Sequence, residues 1–97
     1  MADTFNPIKN LDGLFVVLEQ VRNEDERAYN KHANLASLHE GYAVILEELD
    51  EVWAEVKKKS SERDLMAIRS ELIQVAAMAV RTILDVVDPL IGEERGY

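Results

Sequence analysis

Carboxylate and amide side chains recur at helical spacing in the middle of the chain, and together they have the chemistry of a divalent-cation site. Glu48, Glu51 and Glu55 stand three and four residues apart, so a helix would hold them within an arc of roughly 60°. Glu71 and Gln74 repeat the three-residue spacing farther along. Oxygens of this kind are the ligands that Mg²⁺ and Mn²⁺ prefer. The first three residues alone are better explained as an acidic helix face in solvent.

The helix that carries the first acidic set is predicted to begin after Ser37. Ser37 and Glu40 form a capping box, in which each side chain satisfies a backbone N–H group at the start of a helix. The helix should run to about Lys59, because the lysines at 57–59 suit the C-terminal end of a helix. A pair of serines follows and interrupts it.

A third helix is predicted to carry Glu71 and Gln74. Ser61 with Asp64 gives a second capping signal ahead of it. The third helix should end at Asp88, because a proline follows and disfavours the helical conformation in the residue before it. The first helix is predicted from about residue 10, and the polar sequence after it leaves open whether that helix continues or breaks.

An antiparallel hairpin of the second and third helices would bring the two acidic sets together. Residues equally distant from the serine pair come level in such a hairpin, which places Glu48 and Glu51 near Glu71 and Gln74. Helical bundles build magnesium and manganese sites from oxygens on two facing helices in this way. The hairpin therefore turns two ordinary acidic faces into one candidate site.

The apolar residues predict an all-α fold, a short helical bundle that homo-oligomerisation completes. On the second helix they form an arc of about 120°, and we assign Tyr42 and Trp53 to the core. On the third helix they spread over about 200°, which three short helices cannot cover. We expect a homodimer or a homotetramer. Residues 1–97 should form a single domain, with loose tails at 1–9 and 89–97.

Composition narrows the classes of function. The net charge of -8 would repel a nucleic-acid backbone, so we expect no binding to duplex nucleic acid. No segment reaches the roughly 20 uninterrupted apolar residues of a membrane span, and no signal peptide is evident, so we expect a cytoplasmic protein. The absence of cysteine excludes disulfides, thiolate nucleophiles and zinc-thiolate sites.

The two acidic sets resemble the signature of the MazG-like, all-α nucleoside triphosphate pyrophosphohydrolases, which is EExxE, a spacer, then ExxD. Residues 47–51 (EELDE) supply the first half, and residues 71–74 (ELIQ) supply the second after nineteen intervening residues. The run 75–81 (VAAMAVR) is similar to the small-residue helix that follows the motif in such proteins. The resemblance covers roughly residues 35–88.

The resemblance implies a metal site and its ligands. Glu48, Glu51 and Glu71 would hold Mg²⁺ or Mn²⁺, and Gln74 would stand at the position of the fourth ligand. Gln74 departs from the pattern, because its amide oxygen can ligate but brings no negative charge. We therefore expect weaker metal binding, or fewer ions, than a fourth carboxylate would give.

Neighbouring side chains could assist this site. Glu47 or Glu55 could compensate for the missing charge, although neither stands at the motif position. Arg81 follows Gln74 by seven residues, about 10.5 Å along a helix, where it could meet a substrate phosphate. An ion pair between Arg81 and Asp85 at i+4 explains it equally well. Lys57 is a further candidate for phosphate contact.

The function that the resemblance implies is Mg²⁺-dependent cleavage of a nucleoside or deoxynucleoside triphosphate to the monophosphate and pyrophosphate. Glu48 and Glu51 would be the catalytic carboxylates, and water would attack at the α–β linkage. The alternative is a non-catalytic helical oligomer with a degenerate metal site, which acts as a binding or regulatory protein. Gln74 is the residue that favours this alternative.

Overall fold

Helices make up nearly all of the part of the chain that the structure describes, residues 7–32 and 34–94. This computed structural model contains no strand within those ranges, and the predicted all-α class is confirmed. Among the helices of these two ranges, none is long and apolar enough to cross a membrane. The α-helices are α1 (Pro7–His32), α2 (Leu38–Val56), α3 (Leu65–Thr82) and α4 (Asp88–Glu94).

The start of α2 is fixed by the predicted capping box. The Glu40 N–H donates to Ser37 Oγ over 3.0 Å, and Glu40 Oε1 in turn accepts from the Ala36 N–H over 2.8 Å. The reciprocal bond thus reaches one residue earlier than in the usual box. At its other end α2 stops at Val56, with Lys57 as its C-terminal cap, so the helix is three residues shorter than the predicted end at Lys59.

The turn between α2 and α3 is a short 3₁₀ helix, Ser60–Glu62. Arg63 Nε donates to the Val56 carbonyl over 2.8 Å, and the Asp64 N–H donates to Glu55 Oε1 over 2.8 Å. The prediction that Ser61 caps the third helix is wrong, because Ser61 lies inside this 3₁₀ turn. Asp64 is the cap, and its side chain accepts from the Ala67 N–H over 3.0 Å.

The third helix does not end at Asp88 as predicted, because a wide turn accommodates the proline. Residues Ile83–Val87 form a π-helical turn in which the Asp88 N–H donates to the Ile83 carbonyl, five residues back. An α-helical proline lacks an N–H and clashes with the carbonyl four residues earlier. The wider turn just before Pro89 lets the chain continue as α4.

The first helix and both predicted tails contain more helix than the sequence predicted. The first helix is unbroken through the polar stretch to His32. Residues 7–9 and 89–94, predicted as parts of loose tails, are helical. The remainder of those predicted tails, residues 1–6 and 95–97, lies outside the described residues.

Helix α3 is the centre of the fold, since it packs against both α1 and α2. The predicted antiparallel hairpin of α2 and α3 is confirmed by contacts near both of its ends. Gly41 approaches Thr82 at the open end, and Glu55 meets Asp64 beside the turn. At Gly41 the backbone of α2 comes so close to the side chain of Thr82 that a Cβ atom would lie 2.6 Å from Thr82 Cγ2.

The core of a single chain is small. The buried hydrophobic side chains in the described part are those of Val21, Ala77 and Val86. The prediction that Tyr42 and Trp53 pack in the core is wrong within one chain, because they are 68% and 61% exposed. Helix α3 meets α2 along one flank of the apolar arc, where the small Gly41 permits close approach, and the other flank is left in solvent.

We predict that Gly41→Ala lowers the free energy of unfolding by about 1–3 kcal/mol, the usual cost of overpacking. The added methyl group would meet Thr82, whose hydroxyl is held by a 2.8 Å hydrogen bond to the Met78 carbonyl. Urea denaturation at a fixed protein concentration measures this change. The matched control is Gly13→Ala on α1, where nothing lies within 4 Å. That control should stabilise by about 0.5–1 kcal/mol. Equal effects of the two substitutions would contradict the close approach of α2 and α3.

Candidate metal centre

Three carboxylates from two helices converge on one point. Glu48 and Glu51 on α2 and Glu71 on α3 each contribute an oxygen, and these atoms all lie within 4.8 Å of one another. Glu48 and Glu71 are half-buried, whereas Glu51 is exposed. The one-turn spacing on α2 and the antiparallel register of α3 together produce this arrangement. The structure therefore brings together three of the four predicted metal ligands.

The cluster leaves carboxylate oxygens without hydrogen-bond partners. Glu48 Oε2 and Glu71 Oε2 are buried, and neither has a partner among the described residues. Burying a polar atom without a partner costs about 1–3 kcal/mol. A cation is one partner that would satisfy both oxygens at once.

The electrostatics of the cluster favour an added positive charge. Burial raises the pKa of Glu48 to about 7, helped by hydrogen bonding to Glu71 and Glu51 and by their negative charges. Hydrogen bonding to Glu51, followed by burial, raises the pKa of Glu71. The three carboxyl groups thus retain a proton at a pH where isolated glutamates have lost it.

The donor set fits a hard divalent cation. Ligand oxygens lie about 2.0–2.1 Å from Mg²⁺, so two of them on one ion are at most about 4.2 Å apart. The three carboxylate oxygens lie within 4.8 Å of one another, so they would have to approach by at most about 0.6 Å to share one ion. Oxygen-only ligands match Mg²⁺ or Mn²⁺, and no histidine or thiolate takes part in the cluster. The side chains of Glu48, Glu51 and Glu71 would hold the ion.

A cavity of about 590 Å³ opens beside this cluster, between α1, α2 and α3. Glu48 and Gln74 lie on its wall, so the predicted fourth position faces the same space as the cluster. The complete lining is Glu24, Arg27, Ala28, Asn34, Leu35, Glu40, Val44, Glu47, Glu48, Gln74, Met78 and Arg81.

The two acidic residues considered as substitutes for a fourth carboxylate differ in position. Glu47 lines the cavity, next to Glu48 in the chain. Glu55 belongs to the hairpin turn instead, where it accepts from Lys58 Nζ over 2.9 Å and from the Asp64 N–H. Those hydrogen bonds lower the pKa of Glu55. Glu55 is therefore committed to closing the hairpin and is not part of the cluster.

Arg81 is held by two carboxylates. Its Nε and Nη2 atoms donate to the two carboxylate oxygens of Asp25 over 2.8 and 3.0 Å, and Nη1 lies 3.3 Å from Asp85. The guanidinium also stacks 5.0 Å from the centre of the Tyr29 ring. The i+4 ion pair with Asp85, one of the two explanations of Arg81 that the sequence left open, is present. The positive charge of Arg81 is therefore already balanced by its two carboxylate partners. Arg81 lines the cavity, but a phosphate would have to compete with Asp25 for it.

The network around Arg81 also fixes the loop that leads into α2. Asp85 accepts from the Leu35 N–H over 2.9 Å, which ties residues 34–37 to the π-helical turn. Lys57, the other predicted phosphate contact, caps the far end of α2 and does not line the cavity.

Sequence reasoning missed the residues that α1 contributes. Asp25 pairs with Arg81, and Arg27 contacts Glu24 over 2.7 Å on the cavity wall. These residues lie in a polar stretch with no motif and no distinctive periodicity. Their roles depend on how α1 is rotated against α3, which a local pattern does not specify.

Comparison with known proteins found no match. No model of a protein family, no curated protein and no solved structure matches the chain.

We predict that the metal-free protein loses stability as the pH rises from about 5.5 to 8. The folded pKa of Glu48, about 7, lies above its ordinary value of 4.5. The associated stabilisation is therefore complete below pH 4.5 and is lost as the pH rises through about 7. Because one proton is involved, the free energy of unfolding should fall by at most about 1.4 kcal/mol per pH unit.

Thermal denaturation in EDTA and in Mg²⁺ measures this pH dependence. At the upper pH, Mg²⁺ at 100 times its dissociation constant should restore about 2.7 kcal/mol. Glu48→Gln should flatten the dependence in EDTA, because it removes the principal titrating group. If the melting temperature in EDTA does not fall across this pH range, the idea that the three carboxyl groups retain a proton is contradicted.

Proposed function

We propose that this protein is a Mg²⁺- or Mn²⁺-dependent nucleotide pyrophosphohydrolase of the MazG-like kind, which cleaves a nucleoside or deoxynucleoside triphosphate to the monophosphate and pyrophosphate. The observation that carries the proposal is the convergence of Glu48, Glu51 and Glu71. These residues come from the two halves of the motif and meet beside a cavity. A chance acidic face on either helix would not supply this meeting point.

The three glutamates divide the work by their exposure. Glu48 and Glu71 are half-buried and have orphaned oxygens, so they would hold the cation. A bound divalent cation supplies Lewis acidity and neutralises charge on phosphate oxygens. Glu51 is the exposed member. One of its carboxylate oxygens would complete the ligand set, and the other would accept a proton from the attacking water. The water oxygen forms a bond to phosphorus at the α–β linkage, and the bond between that phosphorus and the bridging oxygen breaks.

The cavity is suited to the nucleoside and constrains how the phosphates bind. Val44 and Met78 give its wall apolar patches against which a base can lie. Its two arginines, Arg27 and Arg81, are each paired with a carboxylate. Because no arginine on this wall is free of a carboxylate partner, the cation must offset most of the triphosphate charge. We therefore propose that tight substrate binding requires the metal.

Metal-dependent release of monophosphate and pyrophosphate is the decisive assay. We predict turnover of at least one member of a panel of NTPs and dNTPs with Mg²⁺ or Mn²⁺, and none in EDTA. Glu48→Gln and Glu71→Gln should each lower kcat/KM by more than about 100-fold, since each removes a ligand charge. Asp50→Asn is the matched control, because it removes the same charge from an exposed position on α2 outside the cluster. Equal losses for Asp50→Asn and Glu48→Gln would contradict the assigned roles.

A second function is favoured by one observation, the neutral Gln74 on the cavity wall. With three carboxylates the protein would act as a non-catalytic oligomer that binds a nucleotide or a protein through a degenerate metal site. Gln74→Asp separates the two functions. Negligible turnover by folded wild type, together with a large gain in Gln74→Asp, would support the binding protein over the enzyme.

We further propose that the working form is a homodimer or a homotetramer. The support is the large apolar surface that a single chain leaves in solvent on several of its helices. Adding subunits is the simplest way for a short helical chain to cover such surface.

A further inference from the structure

A single chain exposes more surface than a protein of its size should. Its accessible area is 7595 Å² for a mass of 11.0 kDa. Monomeric globular proteins of that mass expose about 5,600 Å². The excess is about 2,000 Å². A stable interface of standard size takes about 800 Å² from each partner, so the excess is enough for at least one.

Part of this excess is a regular apolar stripe along α2. Tyr42, Leu46, Leu49 and Trp53 follow one another at intervals of four, three and four residues. They are 68%, 42%, 44% and 61% exposed in the same order. This spacing is that of the seam between two helices in a coiled coil. The described part of the chain does not cover the stripe.

The stripe is separate from both the α3 contact and the acidic cluster. On a helical wheel it lies about 120° from the face on which Gly41 and Glu48 approach α3. It lies nearly opposite Glu51. An occupant of the stripe would therefore leave both the hairpin and the metal centre undisturbed.

We propose that this stripe is the contact between two copies of the chain, whose α2 helices pack antiparallel about a twofold axis. Such an axis passes midway between Tyr42 and Trp53, so Tyr42 of each copy lies against Trp53 of the other. The two leucines between them form the centre of the contact. This assignment of an interface does not depend on whether the protein hydrolyses nucleotides.

The charges on α2 favour a second copy in the antiparallel orientation. Lysines occupy residues 57–59 just beyond one end of the stripe. Antiparallel packing places the lysine runs of the two copies at opposite ends of the contact, and it also opposes the two helix dipoles. Parallel packing would set the two lysine runs against each other. Two rigid aromatic residues and two leucines provide the apolar anchors that interface centres use.

The first test is the oligomeric state of the full chain, by light scattering after size-exclusion chromatography over a dilution series. We expect wild type to be a dimer or a tetramer. Leu46→Glu or Leu49→Glu should raise the dissociation constant at least 100-fold or, in a tetramer, leave dimers. The matched control is Ala54→Glu, which adds the same charge at an exposed position of α2 outside the stripe. It should leave the oligomer intact.

The second test determines the orientation of the two helices and keeps both central leucines of the stripe in place. The chain has no cysteine, so single cysteines introduced at Tyr42 or Trp53 are the only thiols present. Under mild oxidation, a mixture of Tyr42→Cys and Trp53→Cys proteins should cross-link between the two variants. Each variant alone should cross-link at least tenfold less. Cross-linking of each variant with itself but not with the other would overturn the antiparallel arrangement.

The remaining outcomes also decide the proposal. A wild type that is monomeric at tens of micromolar would overturn it and would leave the stripe to a different protein. An oligomer that Leu46→Glu, Leu49→Glu and Ala54→Glu all leave intact would overturn it as well. Neither test measures hydrolysis, so a failure here is distinct from a failure of the proposed enzymatic function.

Discussion

The fold is built around the approach of like charges at the α2–α3 crossing, where Glu48 and Glu51 face Glu71 within 4.8 Å. Repulsion and partial burial both oppose this approach, and the raised pKa of Glu48, about 7, measures that opposition. Tight fixation of both helices keeps the cluster together. Hydrogen bonds at the Asp64 turn close one end of the hairpin, and Gly41 lets the backbone of α2 approach the Thr82 side chain near the other. A divalent cation would convert this cost into a stabilising interaction.

Helix α2 has separate faces for chemistry and for packing. One side presents Glu48 and Glu51 to the cluster, and another presents Tyr42 and Trp53 to solvent. A single apolar arc in the sequence thus serves two contacts, with α3 along one flank and with a second copy, as we propose, along the other. Helix α2 would thus connect the proposed interface to the candidate metal centre without placing interface residues in that centre.

The sequence predicted the features that depend on local chemistry and on one register. The capping box at Ser37 and the hairpin follow from spacing alone, and the hairpin register then brings Glu71 to α2. What escaped prediction depends on packing between distant elements. The partner of Arg81, Asp25, is 56 residues away, and Pro89 is tolerated because the preceding turn widens. The exposure of Trp53 likewise follows from the side on which α3 approaches, which the periodicity of α2 does not encode.

Calorimetric titration of Mn²⁺ into the metal-free protein at about pH 8, where the carboxyl cluster has lost its proton, tests whether Glu48, Glu51 and Glu71 bind a divalent cation. We expect saturable binding that Glu48→Gln weakens at least about tenfold, whereas Asp50→Asn on the same helix leaves it unchanged. Proton release on binding should grow as the pH is lowered toward 7, the value near which Glu48 titrates. Absence of saturable binding by a protein that circular dichroism shows to be helical would contradict the assignment of these three glutamates to a metal centre.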